Sequence, residues 1–265
     1  MSSRNDPCWC GSGLKWKKCH FPHPRPKTSH TLADHYLKKY GIVLKTPEQI
    51  EGIRKACQLT SSILKQTAAL AKEGVTTNEL NAFAHRLHLE AGAIPACLGY
   101  GSPPFPKSIC TSLNHVICHG IPNDIPLKKG DFLNIDISAI LNGYYGDCSV
   151  MVAIDPIDEE KQRVMKASYE ALMRSIALLK PGVLICEIGN AIEACAAEYR
   201  CTVVDQFVGH GTGLQFHEPP NIPHHFNTLQ IPLAAGMTFT IEPMINAGGE
   251  NGLHRSQRPL DCLHL

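Results

Sequence analysis

Residues 133–151, LNIDISAILNGYYGDCSVM, restrict the fold more than any other stretch of this chain. Asn142-Gly143 is the dipeptide favoured in a two-residue type I′ turn, where both central residues take positive φ. Before it, Leu133–Ile140 is largely apolar and β-branched; after it, Tyr144–Val152 reads as the returning strand. Pairing about that turn sets Asp136 opposite Ser149 and Ser138 opposite Asp147, provided that no bulge falls near Gly146. Directly opposed residues share a sheet face, so the two aspartates become diagonal neighbours, about 7–8 Å apart at the backbone. Two carboxylates aimed inward from a buried sheet repel each other and lose hydration, a heavy cost unless protons or cations compensate. A divalent metal is the simplest compensation.

Other segments repeat the problem. Met237–Ile245, MTFTIEPMI, reads as a strand and carries Glu242 in its middle, where desolvation would neutralise a carboxylate without a partner. Phe207–Gly213, FVGHGTG, presents His210 amid three glycines, which let backbone approach a ligand closely. It is no phosphate loop, since it lacks the lysine and departs from GxGxxG. His217 follows in FHEPP, while His224 and His225 read as surface residues. His119, at the end of an apolar run in CHGIP, reads by itself as a buried, satisfied histidine.

The chain has 265 residues, 43% of them hydrophobic, which suits one large domain with a small appendage. A net charge of +1 gives no global pull toward nucleic acid or membrane. No apolar run approaches the roughly 20 residues that span a bilayer, and the N-terminus lacks a signal peptide's apolar core, so a cytoplasmic location is expected. Of twelve cysteines, most are scattered singly through apolar stretches as expected for buried thiols in a reducing compartment. Cys8, Cys10, Cys19 and His20 differ, forming two close pairs around a Gly-rich loop. Three thiolates and an imidazole suit a closed tetrahedral zinc site, which a segment this short needs in order to fold. This stretch resembles the SEC-C zinc motif; a tail with incidental cysteines is the competing reading. Lys15, Trp16, Lys17 and Lys18 make the module locally basic, either a solvated charge run or a ribosome-facing surface.

Residues 23–45 read as a linker and N-terminal extension, Pro-rich at first. Thr46-Pro47-Glu48-Gln49 has the signature of a helix start, and a second helix is expected over Thr77–Glu90. Strands are expected at Ile109–Thr111 and His115–His119. Lys72–Leu80 and Lys180–Ile188 share a local pattern, each following a long amphipathic helix, at about 49–71 and 159–179, and leading into another. That is the mark of two similar halves, with coincidence as the competing reading.

Taken in order, CHGIP, NIDIS, GDCS, GHGTG, FHEPP and TIEPM resemble a type I methionine aminopeptidase over residues 46–247. The resemblance implies an α+β pita-bread fold of two pseudo-symmetric halves with two divalent ions, cobalt, manganese, iron or zinc, between them. It implies removal of the initiator methionine from nascent polypeptides by a monomer, with a metal-bridged water attacking the first peptide bond. By the same resemblance Asp136, Asp147, His210 and Glu242 are metal ligands, Asp147 bridging both ions, and Glu242 also shuttles a proton. His119 and His217 orient the substrate amine and polarise the carbonyl, and Cys97, Tyr100, Phe105, Cys110 and Phe216 wall the methionine pocket. Sulfur and aromatic edges suit a thioether.

The family's fifth ligand, a glutamate in a later Glu-His-Thr run, has no counterpart in the atypical tail, residues 248–265, and Glu250 lies too early to replace it. A last core strand is expected to be missing too, and metal binding to be weakened. One codon choice for Ser256–Leu260, shifted by one base, reads Ala-Lys-Asp-Arg-Ser, consistent with a frameshift. Two alternatives follow: an Xaa-Pro peptidase, or a catalytically impaired pita-bread protein that binds ribosomes or other partners.

Overall fold

The computed structural model describes residues 3–8, 12–19, 21–22 and 31–248. Helix α1 (Leu32–Tyr40) begins at a capping box in which Thr31 and Asp34 satisfy each other's backbone N–H groups. Its Tyr36 hydroxyl donates to the Pro232 carbonyl at 2.8 Å, tying the helix to the far half of the chain. Helix α2 (Pro47–Leu70) starts as expected, with a Thr46/Gln49 capping box and Pro47 in the first turn, and α3 (Thr77–Glu90) occupies the anticipated span.

The first sheet is built on β3 (Phe132–Leu141), which pairs along one edge with β4 (Tyr144–Ala153). Strand β1 (Ile94–Pro95) pairs with Ile140 and Ala139, and β2 (Cys110–Leu113) with residues 133–136. A strand has two edges, so β1 and β2 share the second one end to end. Helix α2 covers the β3–β4 hairpin, and its Ala56 backbone lies so close to Gly146 that a Cβ there would stand 2.5 Å from the Ala56 carbonyl carbon. Ile63, Leu64, Leu80, Ile109, Leu133, Ile135 and Ile137 form the core between helices and sheet. Of these, Leu133, Ile135 and Ile137 are the β3 residues that alternate with Asp136 and Ser138, so one face of β3 is core and the other is left for the polar pair.

The second half has α4 (Glu159–Leu178), α5 (Ile185–Glu198) and four short strands: β5 (Thr202–Val203), β6 (Gly209–Gly211), β7 (Glu218–Ile222) and β8 (Ile245–Asn246). β5 pairs with β8, and β6 with β7 across a bulge between His210 and Gly211. Ile185, Ile188, Ile192, Ile222 and Leu233 make its core.

The repeat is structural. Gly74 N–H donates to the Leu127 carbonyl and Leu127 N–H to Val75; in the second half Gly182 donates to Leu233 and Leu233 to Val183. Thr67 in α2 bonds back to the Ile63 carbonyl, and Ser175 in α4 to Ala171. Pro126-Leu127-Lys128-Lys129-Gly130 and Pro232-Leu233-Ala234-Ala235-Gly236 also correspond, each ending in a glycine at positive φ.

Two expected strands are corrected. Residues 115–119 are turn and irregular chain: Asn114 and His119 take positive φ, and Val116 N–H returns to the Leu113 carbonyl. The 237–245 segment is extended but not a continuous strand. Thr240 N–H donates to the His210 carbonyl, while the His210 N–H goes to the Thr240 hydroxyl, so a side chain replaces one rung of the ladder.

Candidate metal centre

The hairpin register is the one anticipated: Asp136 opposes Ser149, Ser138 opposes Asp147, and Ala139 pairs with Gly146 without a bulge. Asp136, Ser138 and Ile140 therefore share a face with Asp147 and Tyr145. The Ser138 hydroxyl donates to Asp147 Oδ1 at 2.7 Å. Burial, then the Asp147 charge, holds the Asp136 carboxyl well above the usual range; Asp147 is also raised by burial, partly offset by the Ser138 hydrogen bond and by His210.

From the second half, His210 Nε2 stands 3.5 Å from Asp147 Oδ2 and 3.6 Å from Glu242 Oε1. Its Nδ1 lies 3.0 Å from the Gly211 carbonyl, which only accepts. The proton is thus assigned to Nδ1, and the Nε2 lone pair faces the carboxylates, the tautomer that a metal ligand requires. The Thr240 hydroxyl donates to Glu242 Oε1 at 2.6 Å. The Glu242 side chain keeps 37% of its surface exposed, yet crowding protein atoms push its carboxyl up to about 7, the Thr240 bond opposing and Asp147 adding to the rise.

The donor set fits a divalent ion. Carboxylate oxygens and a neutral imidazole suit cations of intermediate hardness, and burial raises the pKa of each acid, a cost that a bound cation would offset. Among the described residues, no three His, Cys, Asp or Glu side chains close on one point tightly enough to hold an ion as they stand.

Beside the acids lies a cleft of about 230 Å³ lined by Ala96, Tyr100, Ile140, Tyr145, Phe216 and His217. Tyr100 meets Phe216 edge-on, ring centres 4.8 Å apart, and its hydroxyl lies 2.7 Å from His217 Nδ1. Phe105, Cys97 and Cys110 pack with Phe216 in one cluster below. The His217 ring centre is 4.1 Å from that of His210, and burial followed by its histidine neighbours lowers its pKa to about 4. His119, held at φ +56° with its ring edge-on to Phe207 at 5.5 Å, is likewise lowered, by burial and by His210.

Three contributors escape sequence reasoning. His224, expected at the surface, is fully buried and accepts the Glu242 N–H at 3.2 Å through Nε2; burial lowers its pKa to about 4. The strand-like 237–245 stretch brings the chain back over residue 224, which no local pattern foretells. Tyr145 and Ser138 were within reach, because both alternate with the aspartates along their strands.

At the N-terminus, Cys8 N–H donates to the Leu14 carbonyl at 2.7 Å and the Ser12 hydroxyl lies 3.4 Å from Cys19 Sγ. Cys10, His20 and Glu250, and with them the rest of the expected zinc set and the tail from 249 onward, lie outside the described residues. Among the described residues, no helix is long and apolar enough to cross a membrane.

Two αβ halves that place an acidic cluster between them are the architecture of the pita-bread metallopeptidases. Residues 51–257 match Metallopeptidase family M24, and residues 4–22 match the SEC-C motif. The methionine aminopeptidases of Chlamydia pneumoniae and Chlamydia muridarum are 58% and 59% identical to this chain, over 94% of it and 86% of each relative. The crystal structure of methionine aminopeptidase from Rickettsia prowazekii superposes with a TM-score of 0.76 at 42% identity, covering 78% of this chain and 84% of that one. The chain belongs to family M24 and, within it, to the type I methionine aminopeptidases.

Proposed function

We propose that this chain hydrolyses the first peptide bond of nascent polypeptides, releasing the initiator methionine when the next residue is small, with divalent ions held by Asp136, Asp147, His210 and Glu242. The observation that carries this reading is the meeting of Asp147, His210 and Glu242 beside the sulfur- and aromatic-walled cleft. Bound cations would acidify a water and polarise the scissile carbonyl. The methionine side chain lies against Tyr100, Phe216 and the Cys97/Cys110/Phe105 cluster. His217, neutral at physiological pH, donates through Nε2 to the carbonyl oxygen while its Nδ1 accepts from Tyr100. His119 orients the substrate amine. Glu242 takes the proton from the attacking water and passes it to the leaving amine.

The N-terminal module holds one structural zinc through Cys8, Cys10, Cys19 and His20 and offers its basic face to the ribosome. The chain is taken to act as a cytoplasmic monomer. The family relatives give no support to the impaired-module reading.

The test is release of methionine from Met-Ala-Ser, with Ala-Pro as the contrasting substrate, in cobalt, manganese, iron and zinc in turn. Release from the first peptide alone, abolished by Asp147→Asn, is the expected result. Silence with every metal, or cleavage of Ala-Pro instead, would sink the proposal.

A further inference from the structure

Lys45 is the anomaly outside the acidic cluster. Its side chain is 0% exposed, and its Nζ lies 2.8 Å from Glu218 Oε1, itself 7% exposed. Apart from this ion pair the ammonium has no partner among the described residues. Such a charge is tolerated in a core only when it is matched, so the two residues are bound to each other's fate.

The pair joins two segments distant in sequence. Lys45 stands in the lead-in to α2, its N–H donating to the Gly236 carbonyl at 2.8 Å. Glu218 is the first residue of β7, pairs with Gly211 beside the β6 bulge, and accepts the Leu214 N–H at 3.4 Å through the same oxygen that meets Lys45. Its carboxylate thus closes the 212–218 turn on itself and anchors it to the α2 lead-in. That turn carries Phe216 and His217. At its outer end His217 is held by one side-chain hydrogen bond, to the Tyr100 hydroxyl, and Tyr100 is 42% exposed. The firm end of the turn is Glu218.

We propose that the buried Lys45–Glu218 ion pair is a positioning device for His217 and Phe216, so that residue 45, which does not line the cleft, governs turnover there. The inference rests on the reading above that His217 acts on the substrate carbonyl. A displacement of about 1 Å at such a group lowers the rate by about 100-fold, while a stabilising core contact of no catalytic consequence leaves the rate alone once the fold is restored.

The full chain is compared with Lys45→Met, Glu218→Gln, Lys45→Arg and the double variant Lys45→Met/Glu218→Met, following melting temperature, kcat and KM on Met-Ala-Ser, and the His217 imidazole ¹⁵N resonances of the metal-free protein. Replacing both charges by apolar side chains removes the unmatched charge, so the double variant is expected to melt near the parent. Its kcat is expected to stay down by about 10- to 100-fold, with a smaller change in KM and shifted His217 resonances. Lys45→Arg, which keeps the charge, is expected to recover most of kcat. A double variant with parental kcat and parental His217 resonances would make the pair structural only and overturn the proposal. Should the double variant not fold, Glu218→Gln decides by the same two readings. Should the parent itself release no methionine, the catalytic reading fails, and unmoved His217 resonances in the variants would still overturn the positioning role independently.

Discussion

At the scale of single residues, hydrogen-bond chemistry decides what each acid does. The Ser138 hydroxyl favours the charged form of Asp147, the form that a cation needs. Ser138→Ala is expected to raise the Asp147 pKa further and weaken Mn²⁺ binding by about 10- to 100-fold, measured by calorimetric titration; unchanged affinity would show that the hydroxyl is incidental. His88 is a second case. It is fully buried near the end of α3, its Nδ1 2.7 Å from the Ala84 carbonyl, and burial holds its pKa below the ordinary value. As pH falls below about 6.5, the unfolded chain takes up a proton that the folded imidazole refuses, so stability declines through that window and is level above it. His88→Leu should flatten the pH dependence of chemical unfolding there by up to about 1.4 kcal/mol per pH unit. Equal slopes for parent and variant would mean that the folded imidazole charges freely.

Among elements, the contact of α2 with β4 sets the height of the acidic hairpin. The two backbones touch at Ala56 and Gly146, where no side chain fits. Gly146→Ala must push helix and strand apart, at about 1–3 kcal/mol, and should lower the melting temperature by about 2–4 °C for each kcal/mol. Because Asp147 is the next residue, methionine release should fall further than the loss of stability explains. A variant with parental melting and activity would show that helix and strand yield at no cost. The hairpin was the most legible element of the chain, since Asn142-Gly143 and strict alternation fix its register locally. The 237–245 stretch reads as a strand yet does not form a continuous one for a physical reason: its alternation is genuine, but Thr240 supplies a hydroxyl where the ladder needs a carbonyl.

The whole molecule has two matched parts, residues 4–22 and 51–257, that answer to different families. Zinc chemistry and peptide hydrolysis should therefore separate. Cys8→Ser is expected to remove one zinc per chain by elemental analysis while release from Met-Ala-Ser by the purified protein is unchanged. Loss of both together would make the N-terminal module part of the catalytic fold. The two halves of the larger part bury separate cores, and the candidate ligands are split between them: two aspartates from the first, His210 and Glu242 from the second.

By itself, the sequence determined what local rules govern: the turn, the register that makes Asp136 and Asp147 diagonal neighbours, the caps of α2 and α3, and the internal repeat. These depend on backbone preferences and on alternation over a few residues, so the order of amino acids suffices. Tertiary structure alone decided the burial of His224 behind Glu242, the closing of Lys45 on Glu218, and the meeting of His210 with Asp147. Each is a contact between segments that no period links, formed because a buried polar group must find a partner wherever the folded chain brings one.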